Sequence, residues 1–299
     1  MSPATVIACN RVSDKRSSGM AMSQPVDLLR IDGSQARVAV DRVACEAALE
    51  VRLGESPFSV IMRTPGDDAA LALGFLFTEG VIASADDVVL VTSHAEDDIV
   101  VVELAPALVA GLPALLAGRR QVTTTSSCGM CGRPSRESID VVRPVMTADW
   151  KLPAAMLTAL PGRLRAAQAA FDETGGLHAA ALFDLDGRLE DVAEDVGRHN
   201  AVDKLIGRRL RERRLPAADR ILFVSGRSSF EIVQKAWMAG VTMIGAVSAP
   251  SSLAVSLADR AGITLLGFVR DGRANVYSHP SRVIPPGTDR PARVEATAT

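Results

Sequence analysis

The chain has 299 residues, of which 47% are hydrophobic and 23% are charged, and this composition is typical of a folded globular protein rather than a disordered one. Its formal net charge of -2 gives no global reason to expect nucleic acid or an anionic membrane as a partner. Aromatic residues make up only 4% of the chain, so the stacking platforms that bind single-stranded nucleic acid are not expected either.

The N-terminal residues favour a cytoplasmic protein. Residues 1–24 carry Arg11, Asp14, Lys15 and Arg16 among small polar residues, without the apolar core of a signal peptide, so we interpret them as a flexible tail. No apolar run in the chain approaches the roughly 20 residues that cross a bilayer. We therefore expect no membrane-spanning segment.

Residues 25–120 are interpreted as a small N-terminal α+β domain. Alternating apolar residues over 45–53 and 58–62 flank a turn from Gly54 to Pro57 and predict a β-hairpin.

A helix is predicted directly after this hairpin. Asp67 or Asp68 is placed to cap its N-terminus, and Gly80 is placed to end it. Beyond the helix, Val88–Val91 and Ile99–Leu104 predict a second pair of strands around an acidic turn.

Two cysteines stand three positions apart in residues 121–136, which we interpret as a loop. A glycine follows each of Cys128 and Cys131, Ser and Thr precede them, and Pro134 interrupts any helix. The thiolate is the reacting form in metal ligation, in disulfide formation and in sulfur carriage. This loop is therefore expected to be reactive, and its spacing leaves all three chemistries open.

From the spacing alone, half of a zinc site or a redox disulfide is favoured over sulfur transfer. A closed zinc site needs four ligands, however, and neither Cys9 nor Cys45 belongs to a second pair. No suitably spaced histidine pair is present. We therefore expect no structural metal.

Residues 137–280 predict a larger α/β domain, and residues 281–299, rich in Pro and Arg, predict a loose tail. Helical spacing over 154–171 is interrupted at Pro161-Gly162, where we expect a break. Two apolar stretches around Asp186-Gly187 then predict a hairpin.

A polar cluster stands at the start of the next predicted helix. The helix has its apolar face at Val202, Leu205 and Leu210, which places His199 and Asp203 one turn apart on another face. A lone histidine is more often a satisfied structural residue than a catalytic one, and these side chains are equally compatible with a structural ion-pair cluster.

The clearest pattern follows residue 219 and predicts a βαβαβ unit with a parallel sheet. Ser228 and Glu231 fit a capping box for its first helix. The five predicted elements are a strand at 221–224, a helix at 228–238, a strand at 241–247, a helix at 252–261 and a strand at 263–269.

Three loops follow the carboxyl ends of these strands, where an open α/β sheet binds ligands. They are residues 225–227, 248–252 and 268–273. Two of these loops also have an ordinary structural explanation. Ser225-Gly226-Arg227 is typical of a tight turn, and Arg270 and Arg273 are typical of a solvated hairpin tip. Helix N-termini and paired arginines also bind phosphate, so the sequence leaves both interpretations open.

Taken together, these motifs resemble the FdhD family of sulfur carriers for formate dehydrogenase. The resemblance covers roughly residues 25–283 and rests on five long motifs in the family's order. They are Ser127–Gly132, Thr174–His178, Glu194–Lys204, Ser225–Ser229 and Val247–Ser252.

The resemblance implies a cytidine-deaminase-like α/β/α domain beside the smaller N-terminal α+β domain, usually in a homodimer. The implied function is to accept sulfur from a cysteine desulfurase as a cysteine persulfide and to pass it to a molybdenum cofactor. That client is Mo-bis(molybdopterin guanine dinucleotide), which is then inserted into the catalytic subunit of formate dehydrogenase.

Carried onto this sequence, the resemblance makes Cys128 the principal sulfur carrier and Cys131 the auxiliary one. The guanine end of the cofactor, for which GDP is a partial mimic, is then expected beside three groups of residues. These are Phe268, Val269, Arg270, Asp271, Gly272 and Arg273; Ser225, Gly226 and Arg227; and, as more distant neighbours, His199 and Asn200.

Two other functions compete with this one. A cofactor-binding chaperone without sulfur transfer remains open, because such a protein would need the same nucleotide site. A zinc nucleoside deaminase is disfavoured, because Ser127 rather than Pro precedes Cys128.

Overall fold

The computed structural model describes residues 5–8, 21–111 and 143–287. Its helices and sheets confirm the predicted α/β class, while the cytidine-deaminase-like description stays a prediction. The N-terminal elements are Thr5–Ala8 (β1), Ser23–Asp32 (β2), Gln35–Ala44 (β3), Ala47–Leu53 (β4), Ser56–Arg63 (β5), Asp68–Thr78 (α1), Val88–His94 (β6), Ile99–Leu104 (β7) and Pro106–Val109 (α2).

Five of these strands form one sheet in the order β1-β6-β7-β4-β5. The predicted hairpin around Gly54 is confirmed, since β4 and β5 pair antiparallel from Ala47–Arg63 to Leu53–Ser56. The predicted β6–β7 pair is also antiparallel. Strands β2 and β3 form a separate two-stranded sheet, which the alternation pattern did not identify as a hairpin.

Helix α1 is buried on every side and ends before Gly80, as predicted. Asp67 is the N-cap residue, as predicted, but its side chain makes no capping hydrogen bond. Asp68 instead pairs with the buried guanidinium of Arg63 at 2.8 Å, and Asp67 pairs with Arg208. The carboxylate oxygens that could have accepted hydrogen bonds from the helix N-terminus are thus paired with Arg63 and Arg208.

The larger half contains a six-stranded sheet in the order β10-β9-β11-β12-β13-β14. The elements of this half are Leu152–Pro153 (β8), Ala154–Ala166 (α3), Ala169–Thr174 (α4), His178–Phe183 (β9), Leu189–Asp195 (β10), Arg198–Arg211 (α5), Ile221–Val224 (β11), Phe230–Met238 (α6), Met243–Ala246 (β12), Ser252–Ala261 (α7), Thr264–Arg270 (β13), Arg273–Ser278 (β14) and Val283–Ile284 (β15). Strands β11, β12 and β13 are parallel as predicted, whereas β9 and β14 pair antiparallel with their neighbours, so the sheet is mixed.

The predicted break at Pro161 is wrong, since α3 continues through it. Leu157, Leu160 and Leu164 lie on one buried face of α3, and their packing outweighs the hydrogen bond that a proline removes. Paired structure also continues past residue 281, where the tail was predicted to begin. There β15 pairs with β8, and buried Arg282 donates to the carbonyl oxygen of Gly262 at 2.7 Å.

Two layers of apolar side chains flank the large sheet. One layer is continuous with the N-terminal half and includes Leu73, Leu205 and Val233, while the other lies under α3 and includes Leu160 and Phe223. In the described ranges, every helix is too short or too polar to span a bilayer.

Helices α1 and α5 touch backbone to backbone at two glycines. A Cβ on Gly207 would overlap the carbonyl oxygen of Ala70, and a Cβ on Gly74 would overlap that of Asp203. Beside this contact the carboxylate of Asp203 binds the ammonium group of Lys235 at 2.7 Å. Burial raises the pKa of Asp203, against the opposing charge of Lys235. Close helix packing thus joins the two halves, and Thr78 of α1 adds hydrogen bonds to both members of the buried ion pair.

We expect Gly207→Ala to destabilise the protein by about 1–3 kcal/mol, because the helices must separate to admit the methyl group. The matched control is Gly162→Ala in α3, where a Cβ meets open space. That change should be neutral or stabilising by roughly 0.5–1 kcal/mol, since alanine is the better helix former. Urea unfolding of both variants measures the difference, and equal stabilities would contradict the close helix contact.

Candidate functional site

The carboxyl ends of four strands meet at one edge of the large sheet, which we call the C-terminal edge. Strands β10, β11, β12 and β13 all run in the same direction, because β9 pairs antiparallel with both β10 and β11. Asp195, Ser225 and Arg270 therefore lie at this edge. Strand β9 begins there with His178, and β14 begins there with Arg273.

Backbone hydrogen bonds hold the three loops of this edge together. The amide of Ser251 donates to the carbonyl oxygen of Ser228 at 3.0 Å, and that of Phe268 donates to Ser248 at 3.1 Å. The three loops that were predicted to lie side by side are therefore adjacent in the structure. Their role in binding a cofactor stays a prediction.

The turn between β13 and β14 presents most of the predicted guanine-binding residues to solvent. Arg270, Asp271, Gly272 and Arg273 are exposed, and the guanidinium carbon of Arg270 lies 5.6 Å from the centre of the Phe268 ring. This distance allows a cation–π contact. The turn therefore offers two cations and one half-buried aromatic face.

Val269 differs from its neighbours, because its side chain is buried in the apolar layer of the sheet. Only its backbone is placed to contact a ligand. The prediction for this residue thus concerns a main-chain contact.

In the turn after β11, Ser225 is hydrogen-bonded to the sheet, whereas the side chain of Arg227 is exposed. The hydroxyl of Ser225 accepts a hydrogen bond from the amide of Ala179 at 2.9 Å. Gly226 lies against His178, since a Cβ there would stand 3.3 Å from the imidazole Nδ1. Of the three predicted residues, Arg227 is therefore the one whose side chain is free of the sheet.

The predicted capping box at the start of α6 is wrong. Ser229, not Ser228, is the N-cap residue, and it makes no side-chain cap. Ser228 is fully buried, and its hydroxyl has no hydrogen-bond partner within the described parts of the chain. Burial opposes the charge of Glu231, but hydrogen bonds from Ser229 and from its own backbone, with the charges of His199 and Arg198, lower the pKa of Glu231 overall.

His199 and Asn200 are both buried behind the C-terminal edge. The imidazole Nε2 of His199 lies 3.2 Å from the hydroxyl of Ser229, and the amide of Asn200 donates to Met62 and to Asp195, each at 2.8 Å. Their side chains support the edge from within. Asp203, one turn later, is part of the buried ion pair with Lys235, so the structural interpretation of this cluster holds for Asp203.

His178 is a residue of the edge that sequence reasoning did not select. Burial lowers the pKa of His178, and the positive charges of Arg198 and Arg227 lower it further, against the opposing effect of Asp195. The charges of Arg198 and Arg227 both act on His178, and guanidinium groups bind anions, so this part of the edge suits an anionic ligand. The signal was present in the Thr174–His178 motif, but strand pairing was needed to place His178 beside Gly226 and Arg227.

Cys128 and Cys131 lie outside the described residues, as does the predicted loop at 121–136. The described chain resumes at Arg143, which donates to the carbonyl oxygen of Met238 at 3.1 Å. Met238 ends α6, so this contact lies at the edge of the sheet opposite the C-terminal edge. A cavity of about 350 Å³ lies there, lined by Phe77, Arg143, Leu210 and Met238 among others.

In the described parts of the chain, no group of three or more His, Cys, Asp and Glu side chains is arranged to hold a metal ion. The expectation that the cysteine pair binds no structural metal concerns residues outside those parts. It stays a prediction.

Sequence comparison supplies close relatives over most of the chain. The profile of the FdhD/NarQ family matches residues 44–284. A protein named Sulfur carrier protein FdhD from Streptomyces avermitilis is 48% identical over 272 residues, which cover 86% of this chain and 94% of the relative. The protein of the same name from Sulfurisphaera tokodaii is 44% identical over 262 residues, covering 87% and 98%.

A solved structure has a similar fold. It is the crystal structure of a protein assigned as a formate dehydrogenase accessory protein from Desulfotalea psychrophila, with a TM-score of 0.71 and 25% sequence identity. The similarity covers 88% of this chain and 100% of that one. Because the family profile spans most of the sequence and the relatives align over nearly their whole length, this chain belongs to the FdhD/NarQ family.

Proposed function

We propose that this protein carries sulfur for formate dehydrogenase. It accepts sulfur from a cysteine desulfurase as a persulfide and passes it to Mo-bis(molybdopterin guanine dinucleotide) before that cofactor enters the dehydrogenase catalytic subunit. The observation that carries this proposal is membership of a family whose relatives, 48% identical, are named sulfur carriers. The homodimer that the resemblance implies is part of the same proposal.

The loading step needs only one activated thiol. The thiolate of Cys128 attacks the outer sulfur of the donor's persulfide, the donor's S–S bond breaks, and the donor cysteine leaves as a thiolate. Cys128 then holds the persulfide, with Cys131 as the auxiliary thiol. On delivery the S–S bond of the Cys128 persulfide breaks and its electron pair stays on Cys128 as the thiolate, so the outer sulfur leaves at the zero oxidation level. The reduced molybdenum centre of the client would supply the two electrons that convert this sulfur to sulfide.

The donors at the C-terminal edge suit the phosphate groups of a guanine dinucleotide. Arg227, Arg270 and Arg273 are exposed there and can form charge-assisted hydrogen bonds with phosphate oxygens. Two buried donors, the Ser228 hydroxyl and the Arg198 Nε, have no partner in the described residues. These groups support placing the guanine end of the cofactor over Phe268–Arg273.

Replacing Cys128 should abolish sulfur loading. The measurement is mass spectrometry after incubation with a desulfurase and cysteine. We expect the protein to gain the mass of one sulfur atom, and we expect its digest to show this gain on the peptide that contains Cys128. Cys128→Ala should reduce this gain to background, whereas Cys131→Ala should retain part of it. Cys45→Ala, which removes a half-buried free cysteine elsewhere, is the matched control and should load normally.

Loss of loading in Cys131→Ala but not in Cys128→Ala would reverse the two roles. Full loading and full support of formate dehydrogenase in both variants would exclude the sulfur-carrier mechanism. A cofactor-binding chaperone predicts a different pattern: the double variant would still bind cofactor and support the enzyme. That variant therefore separates the two candidate functions.

The nucleotide site is tested with GDP. We expect saturable binding by calorimetry, weakened at least about tenfold by Arg270→Ala and again by Arg273→Ala, because each arginine contributes a charge-assisted hydrogen bond of about 1.5–3 kcal/mol. Arg188→Ala is the control, since this exposed arginine lies in the β9–β10 hairpin at the other end of those strands. Unchanged affinity in the double variant would remove this site from the proposal, even with the cysteine chemistry intact.

A further inference from the structure

The cavity at the opposite edge of the large sheet lies away from the proposed cofactor site. Its volume of about 350 Å³ is within the range of roughly 300–1,000 Å³ that is typical of ligand pockets. Three helices contribute apolar side chains to its wall: Phe77 from α1, Leu210 from α5 and Met238 from α6. The cavity therefore suits an apolar group.

One guanidinium group in the cavity wall has no carboxylate partner among the described residues. Arg143 donates to the carbonyl oxygen of Met238 at 3.1 Å and forms no ion pair within those residues. Arg213, a second arginine of the wall, pairs with Asp86 at 2.7 Å. A cation beside an apolar wall favours a ligand that joins an apolar group to a carboxylate.

The cavity also lies beside the described residues that flank the cysteine-bearing part of the chain. On the C-terminal side, Arg143 itself lines the cavity. On the N-terminal side, the amide of Ala105, directly before α2, donates to the carbonyl oxygen of Asp87 at 2.8 Å. The carboxylate of Asp87 accepts hydrogen bonds from the amides of Ala83 and Ser84, which line the cavity. A protein bound in the cavity is therefore close to both flanks of residues 112–142.

We propose that this cavity is the docking site of the sulfur donor, and that it receives a donor segment with an apolar side chain beside a carboxylate. The inference rests on the proposed function, in which a protein donates the sulfur that reaches Cys128. In that function the cofactor uses the C-terminal edge, where Arg270 and Arg273 lie, so the cavity at the opposite edge is left for the donor. An apolar wall and an unpaired cation together also discriminate against proteins that present only one of the two complementary features.

The first test blocks the cavity. Ala83 lines it with an exposed side chain, so Ala83→Trp places an indole ring there without replacing a buried residue. We expect the concentration of this variant that half-saturates sulfur loading by a cysteine desulfurase to rise at least about tenfold, because anchor pockets carry much of the binding energy of an interface. The matched control is Ala95→Trp in the exposed turn at the other end of β6, which should load like the unchanged protein.

Loading from inorganic polysulfide separates docking from thiol chemistry. Such a donor is too small to need a docking site, so Ala83→Trp should load from it at the rate of the unchanged protein. The measurement is the gain in protein mass from added sulfur, followed over time with each donor.

A second variant tests the charge of the cavity. We expect Arg143→Glu to raise the half-saturating concentration about fivefold at low salt and less at high salt, since attraction between charges at an interface is screened by ions. The matched control is Arg163→Glu. Arg163 also donates to a backbone carbonyl oxygen, that of Gly187, but it belongs to α3 on the other face of the large sheet. This control should leave loading by the desulfurase unchanged.

Normal loading by the desulfurase in both cavity variants overturns the proposal. Equal slowing with desulfurase and with polysulfide also overturns it, because the defect then lies in the thiols rather than in docking. If the unchanged protein itself takes no sulfur from either donor, the proposed function fails and this inference fails with it. A failure that is confined to the cavity variants leaves the sulfur-carrier function intact.

Discussion

The buried carboxylate of Asp195 fixes the geometry on which the C-terminal edge depends. It accepts hydrogen bonds from the amides of Thr64 and Gly197 and from the side chain of Asn200, and it pairs with Lys204 at 2.7 Å. A buried charge is tolerated only when it is paired and hydrogen-bonded, and removal of one partner typically costs about 3–5 kcal/mol. The end of β10, the first turns of α5 and the turn after β5 are therefore held in one arrangement.

Local signals were sufficient for much of the fold. Helix α7 has the predicted bounds, Ser252–Ala261, and β11 has the predicted bounds, Ile221–Val224, because apolar periodicity and glycine punctuation decide such elements within a few residues. The break expected at Pro161 failed because buried leucines elsewhere in α3 outweigh it. The β2–β3 hairpin was missed although Asp32-Gly33 at its tip is a local turn signal, because the pairs Leu28–Ala39 and Leu29–Val38 place apolar side chains on both faces and weaken the alternation.

The candidate site was predictable as a set of loops but not as a set of side chains. Topology alone brings residues 225–227 and 268–273 to one edge. Which side chains face outward depends on contacts between distant parts of the chain. The side chain of Val269 is buried in the apolar layer, and the side-chain amide of Asn200 donates a hydrogen bond to Asp195. His178 lies at this edge because β9 pairs with β11. The pairing of distant strands, rather than the spacing within one motif, decides where Val269 and His178 lie.

The positions of the two ends of the sheet constrain how the proposed sulfur carrier operates. Arg143, at the end of the segment that contains Cys128 and Cys131, contacts the C-terminal end of α6, whereas the phosphate-suited donors lie at its N-terminal end. A nine-residue helix is roughly 14 Å long. In the proposed mechanism, delivery of sulfur therefore ends about one helix length from Arg143, at the opposite edge of the large sheet.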